Sequence, residues 1–195
     1  MTGRWVVFLI LGVLLVGCSE PEAQASGSEL ALTPSALATL DEAHTGLAAY
    51  YCRRVVCAGD DGQNHTVQGF VAFDLGRLRE LGSFQASLRL YQGEASRAYA
   101  RLGRLFIERI RVEGPQDPTA LKAPALFTLS NAASGEGYLE LDVTAALQEA
   151  LAEGEASLQF RLRFEKPTDR NHQSDLALFG ATEGHSPLLI IRPGP

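Results

Sequence analysis

The amino-acid sequence predicts an all-β fold, a two-sheet antiparallel sandwich with one short helix. Two segments, Ala86–Tyr91 and Ser157–Phe164, alternate between apolar and polar residues, which is the pattern of a half-buried strand. Turn signals rich in glycine, proline and aspartate separate the other short apolar runs. The sequence does not repeat with a period of about 20–50 residues, which argues against a propeller or solenoid.

Residues 1–17 have the pattern of a lipoprotein signal peptide. Arg4 gives a basic start, and the apolar run Trp5–Val16 is too short to span a bilayer as a stable helix. Leu15–Cys18 resembles a lipobox, so we expect cleavage before Cys18 and lipid anchoring through its acylated side chain. The alternatives are an ordinary secretory signal and a buried N-terminal helix that contains a cysteine.

Residues 18–33 are expected to form a lipidated tether, and residues 34–195 a single domain. Ser19 follows the cysteine where an aspartate would resemble an inner-membrane retention signal. We therefore expect the protein in the bacterial cell envelope, on the outer membrane if the cell has two. The 17 basic and 23 acidic residues give a net charge of −6, which argues against nucleic acid as a partner.

Cys52 and Cys57 form an even pair in a chain that is expected to be exported, which favours a disulfide. A straight strand would hold them about 16 Å apart, so the residues between them must turn back or bulge. Two small buried thiols are the alternative. A metal site is disfavoured because no further cysteine or histidine has matching spacing.

Short strands and one helix account for most of the remaining chain. The helix is expected to follow Asp142 as N-cap, with an apolar stripe through Val143, Leu147 and Leu151, and to end at Gly154. Leu47–Val56 reads as extended, while Thr33-Pro34 is also compatible with a helix start. The further predicted strands are Val67–Phe73, Leu105–Val112, Tyr138–Leu141, Leu176–Phe179 and Leu188–Ile191.

Five motifs in order along the chain resemble the DNRLRE-type domain, a β-jelly-roll family that is similar to carbohydrate-binding modules. The resemblance spans about residues 45–193 and implies a jelly-roll topology. Within it Asp74 and Asp142 are expected to be structural caps that accept backbone N–H bonds. The cysteine pair departs from the family pattern. The motifs are Gly69–Leu75, Ala86–Tyr91, Leu141–Thr144, Leu158–Phe164 and Pro187–Ile191.

No set of residues predicts catalysis or a cofactor. The sequence lacks a nucleophile elbow, a phosphate-binding glycine loop and a His-Glu-x-x-His motif. The histidines are scattered in polar, turn-like contexts, although His172 and His185 could meet Asp175 in space. We therefore expect a protein that is not an enzyme. The other two histidines are His44 and His65.

Two oxygen-rich segments, Asp60–Asn64 and Thr168–Asn171, raise the question of calcium. Neither matches the spaced acidic loop of an EF-hand, and Arg170 lies inside the second. Ordinary turns are expected, so no metal site is predicted, and a calcium site is the alternative.

Four residues at outward positions of the two alternating strands suggest a ligand surface: Arg89, Tyr91, Arg161 and Arg163. Their guanidinium and ring groups suit carboxylated sugars. Alternatively, the arginines pair with cross-strand acids such as Glu108 or Glu140 and keep the sheet soluble.

The expected function is a non-catalytic, lipid-anchored extracytoplasmic binding module, with acidic glycans as the candidate ligands. The glycan component depends on the family resemblance. The alternative is an envelope lipoprotein that binds or assembles with a protein partner. An enzyme such as a polysaccharide hydrolase or lyase is less favoured.

Overall fold

The computed structural model describes residues 29–43, 52, 55–76, 78, 81–180 and 184–194, which form an all-β, β-sandwich-like fold with two α-helices. The helices are α1 (Ser96–Leu102), α2 (Thr144–Ala152) and a 3₁₀ helix (Pro118–Lys122). The strands are β1 (Leu30–Leu32), β2 (Ala36–Asp41), β3 (Val56–Asp60), β4 (Thr66–Asp74), β5 (Phe84–Gln92), β6 (Leu105–Ile110), β7 (Phe127–Asn131), β8 (Gly137–Asp142), β9 (Ser157–Phe164), β10 (Asp175–Phe179) and β11 (Leu188–Pro193).

These strands form one antiparallel sheet in the order β1-β11-β5-β10-β3-β4-β9-β6-β7, with β2 also paired to β4 and β8 to β5. Two joins in this sheet are narrow. β10 meets β5 only through Phe179 and Gln92, and β3 meets β4 through two residue pairs. The joins connect a β5 part (β1, β11, β5, β8) to a β9 part (β2, β4, β9, β6, β7).

The inner faces of both parts share one hydrophobic core. In β9 the predicted inward residues are all buried, and in β5 Leu88 and Leu90 belong to the same cluster, so the alternation correctly predicted the core. The buried β9 side chains are Leu158, Phe160, Leu162 and Phe164.

The outer face of the β9 part has a cover of its own. The chain between β6 and β7 crosses it, and the 3₁₀ helix in this connection places Ala120 against Phe70 and Ile110 in a separate buried cluster. Asp117 begins this helix, because its carboxylate accepts a hydrogen bond from the Thr119 N–H at 2.8 Å. The part of this outer face that lies beneath the 3₁₀ helix is therefore buried.

The predicted disulfide between Cys52 and Cys57 is confirmed, with the two Cα atoms 6.1 Å apart. The chain turns back as expected, since the Val55 N–H donates to the Cys52 carbonyl at 3.2 Å. Cys57 then enters β3, where its N–H donates to the Thr39 hydroxyl. The bridge therefore lies where β3 begins, beside β2.

Several elements differ from the sequence predictions. Leu30–Leu32, within the expected tether, pairs with β11 as β1, and residues after Thr33-Pro34 form β2 rather than a helix. The helix after Asp142 begins at Thr144, with Val143 in the N-cap position. Helix α1, the 3₁₀ helix and β7 were not predicted.

Several predictions concern residues outside the described ranges: the signal peptide predicted for residues 1–17, Cys18, His44 and most of the segment Leu47–Val56 that was expected to be extended. Within the described ranges, no helix has both the length and the apolar character needed to cross a membrane.

Candidate functional site

The pairing of β5 with β8 creates an exposed group of aromatic and charged side chains on the outer face of the β5 part. The register places Tyr91 opposite Tyr138 and Arg89 opposite Glu140, and paired residues project from the same face of a sheet. With His185, which precedes β11, these residues are named here the tyrosine face.

Three rings pack against one another at the centre of the tyrosine face. Tyr91 meets Tyr138 edge to face, with ring centroids 5.2 Å apart, and stacks on His185 at 3.9 Å. Tyr138 is 55% exposed, and the other two rings support it from the side. The result is an aromatic surface held in place by its neighbours and open to solvent.

A hydrogen bond and a nearby guanidinium border the three rings. The Tyr91 hydroxyl donates to Glu136 at 2.5 Å, and this bond raises the pKa of Tyr91 above its ordinary value. The guanidinium of Arg89 lies 5.9 Å from the centroid of the Tyr138 ring. A hydrogen bond therefore orients Tyr91, and a cation lies beside the Tyr138 ring.

Glu140 is the centre of the charged half of the tyrosine face. It accepts hydrogen bonds from Ser87 at 2.9 Å, from Arg89 at 3.2 Å and from Arg192 at 3.2 Å. The Ser87 hydroxyl, with Arg192 and Arg89, holds the pKa of Glu140 below its ordinary value. Donors and acceptors thus lie side by side next to the rings.

The structure contradicts the expected display of Arg161 on an open surface. Arg161 faces away from the main core as predicted, but it is only 6% exposed, beneath the 3₁₀ helix. Its Nε donates to Glu108 at 2.8 Å, and its Nη1 donates to the carbonyls of Ala120 and Leu121. The alternative of a cross-strand acid partner is the arrangement found, because the β6–β7 connection covers this face.

Arg163 shares Glu108 with Arg161 but is less enclosed. Its Nε and Nη2 both donate to Glu108 Oε1, at 2.9 and 2.6 Å. Burial alone would raise the pKa of Glu108, but the hydrogen bonds from Arg163 and Arg161 outweigh it and the pKa is lowered. The four predicted ligand residues are therefore split: Arg89 and Tyr91 lie on the tyrosine face, and Arg161 and Arg163 lie on the β9 part.

The two oxygen-rich turns lie against each other. The Asp169 N–H donates to Asp60 at 3.2 Å, and Asn171 donates to both Asp169 and Asp175. Arg97 forms an ion pair with Asp175. Asp60 is fully buried, and this burial raises its pKa. In the described part of the chain, no group of three or more histidine, cysteine, aspartate or glutamate residues is arranged to hold a metal ion.

The grouping of His172 and His185 with Asp175, which the sequence left open beside the expectation of scattered loop histidines, is not the arrangement found. His172 contacts Asn64, whereas His185 stacks on Tyr91 and Asp175 is held by Arg97 and Asn171. Asp74 and Asp142 each accept a backbone N–H bond, from Gly76 at 2.8 Å and from Thr144 at 2.9 Å.

Two members of the tyrosine face, Tyr138 and His185, were missing from the sequence-derived site. In β8 exposed and half-buried residues alternate, and Tyr138 comes directly before the half-buried Leu139. The sequence could therefore have placed Tyr138 on an outer face. Its pairing with Tyr91, however, follows from the register between β5 and β8, two strands that are far apart in the sequence. No protein-family model matches the chain, and no curated protein matches it.

Proposed function

We propose that the protein is a non-catalytic binding module for glycans, with the tyrosine face as its binding surface. The observation that carries the proposal is the 55% exposed ring of Tyr138, held by two other rings and bordered by charged groups. A large exposed aromatic surface is a common mark of a binding site.

The chemistry of the tyrosine face suits a sugar. A pyranose ring has apolar C–H faces that pack on an aromatic ring, and hydroxyl groups that both donate and accept hydrogen bonds. Arg89 supplies N–H donors and Glu140 supplies carboxylate acceptors beside Tyr138. Hydrogen bonds that involve an ionised partner are stronger than neutral ones, so this pair would orient a stacked sugar.

The proposed fold is a two-sheet jelly-roll sandwich like that of the DNRLRE-type domain. Two observations favour it: the β5 and β9 parts meet at narrow joins, and their inner faces fill one core. In this arrangement the tyrosine face lies on the outer face of β5 and β8.

The proposed location is the cell envelope, with the module attached through acylated Cys18. The short apolar run and the Leu-Val-Gly-Cys motif support this proposal. Mass spectrometry of the mature N-terminus should find an acylated cysteine, and Cys18→Ala should leave the protein unprocessed or released. An unmodified mature N-terminus beyond residue 18 would reject the anchor.

A protein partner has weaker support on the described surface. Besides Tyr138, the exposed large apolar residues are Leu30, Leu37, Leu81 and Leu126. They belong to separate segments: β1, β2, the chain before β5 and the chain before β7. None of them is part of a ring cluster like the one around Tyr138.

A glycan array followed by calorimetric titration of the best neutral oligosaccharide tests the binding function. Tyr138→Ala should weaken binding at least tenfold, because it removes the exposed ring. Its free energy of unfolding should change by less than about 1 kcal/mol. Leu126→Ala, an exposed apolar residue elsewhere, is the matched control and should bind as the wild type does. Undiminished binding by Tyr138→Ala would refute this site.

A further inference from the structure

A groove of about 590 Å³ lies on the other part of the molecule, away from the tyrosine face. The start of β4, the 3₁₀ helix and the end of β9 form its walls. The polar and charged residues that line it and enter the argument are Glu42, Gln68, Thr119, Lys122, Arg163 and Glu165. Apolar residues, among them Pro118 and Leu121, line the rest.

Arg163 is a cation that is already held in position at this groove. Its guanidinium donates to Glu108 through two nitrogens and to the Phe164 carbonyl through the third. It also lies 4.9 Å from the centroid of the Phe106 ring. A ligand would meet an arginine whose side-chain entropy is largely lost before binding, which favours affinity.

Arg163 also keeps hydrogen-bonding capacity. A guanidinium has five N–H donors, and the contacts within the described part of the chain use three of those on Arg163. Its side chain is 32% exposed, whereas that of Arg161 is 7% exposed. Arg163, and not Arg161, is therefore the arginine that a ligand can reach.

Glu108 alone does not balance the positive charges of Arg161 and Arg163. One carboxylate serves two guanidinium groups, so the cluster has a formal charge of about +1. Lys122, exposed on the 3₁₀ helix, adds a second accessible cation to the same groove. This end of the groove suits an anion.

The rest of the lining limits which anion fits. Glu42 and Glu165 also line the groove and would repel a polyanion. Thr119 and Gln68 are uncharged polar residues of the same lining. A ligand with a single carboxylate among hydroxyl groups matches this mixture better than a phosphate-rich one.

We propose that this groove is a second sugar subsite, in which Arg163 and Lys122 hold the carboxylate of a uronic acid residue. The inference rests on the proposed glycan-binding function and adds acidic glycans as the class of ligand. It assigns the preference for acidic sugars to the groove, while the tyrosine face binds sugar rings irrespective of charge.

Titration with a neutral trisaccharide that carries one glucuronic acid residue, and with the methyl ester of the same compound, tests this subsite. The full chain, Lys122→Gln, Arg163→Gln and Tyr138→Ala are compared, and Arg111→Gln serves as a charge-matched control. Arg111 is exposed and pairs with Glu153 and Glu155, outside the groove. Lys122 is exposed and forms no part of the core, so Lys122→Gln remains informative even if Arg163→Gln unfolds.

The subsite predicts that Lys122→Gln and Arg163→Gln each weaken binding of the acid about tenfold, and leave the ester unaffected. Tyr138→Ala should weaken binding of the ester and leave binding of the acid at the groove unchanged, because the tyrosine face and the groove lie on different parts of the molecule. If only Tyr138→Ala has an effect, or if the acid and the ester bind the wild type equally, the subsite is wrong and the glycan function stands. If neither probe binds and the array is also negative, the function itself fails.

Discussion

Two cross-strand Arg–Glu pairs occupy equivalent positions on the two parts of the molecule but differ in their environment. Arg161 faces Glu108 across β9 and β6, and Arg89 faces Glu140 across β5 and β8. The first pair has 7% and 3% of its side-chain surface exposed, and the second 32% and 41%. Both arise from the same alternation of arginine with apolar residues in a strand.

The difference shows that the cover over a sheet, and not the strand pattern, determines whether such an arginine is structural. The β6–β7 connection lies on the first pair and supplies the Ala120 and Leu121 carbonyls to Arg161. A buried charged group is stabilised only if its hydrogen-bond partners are all present, and removal of one group leaves its former partners unpaired in the interior. No comparable segment in the described chain contacts Arg89, so its ion pair adds little stability.

The largest predicted effect is on folding stability. Arg161→Ala should lower the free energy of unfolding by about 3–5 kcal/mol, because two buried carbonyls lose their donor and Glu108 loses a partner. Arg89→Ala should lower it by less than about 1 kcal/mol, since water replaces its contacts. Equilibrium unfolding in urea measures both. Similar small losses in the two variants would mean that the cover does not bury the first pair.

A smaller effect concerns the pH dependence of stability. The arginines lower the pKa of folded Glu108 below its ordinary 4.5, so its ionised form favours the folded state. The stability advantage of the wild type over Glu108→Gln should be full above pH 4.5 and disappear as the pH falls through the lowered pKa.

The same comparison of stability against pH, made between the wild type and Glu140→Gln, tests the exposed pair. The pKa of Glu140 is also lowered, so its contribution has the same sign. Solvent and salt screen this residue, so the change should be smaller and should shrink further at high ionic strength. Unfolding curves collected from about pH 7 to about pH 3 test both variants. A Glu108 advantage that grows toward acid pH would contradict a lowered pKa in the folded state.

The sequence correctly predicts which residues of a strand face the core. Side chains alternate between the two faces of a strand, so burial of one face leaves little choice of register. Phe160 and Leu88 were placed correctly for that reason. The cysteine pair was also predicted correctly, from its even number and the expected export. Local patterns of this kind carry their information within a few residues.

The environment of the outward-facing side chains depends on contacts between segments that are distant in the sequence. Nothing in the sequence near Arg161 indicates that residues some forty positions earlier, at Ala120, cover it. The partner of Tyr91 likewise follows from pairing with β8, across two intervening helices and two strands. The candidate site was therefore half predicted: its β5 residues were identified, and Tyr138 and His185 were not.

A pair of double-mutant cycles tests the contrast between the two faces most directly. The free energy of unfolding is measured for alanine variants of Arg161 and Glu108, singly and together, and likewise for Arg89 and Glu140. We predict a coupling energy of at least about 2 kcal/mol for the covered pair and at most about 1 kcal/mol for the exposed pair. Equal coupling energies, or a larger value for Arg89 with Glu140, would contradict the account.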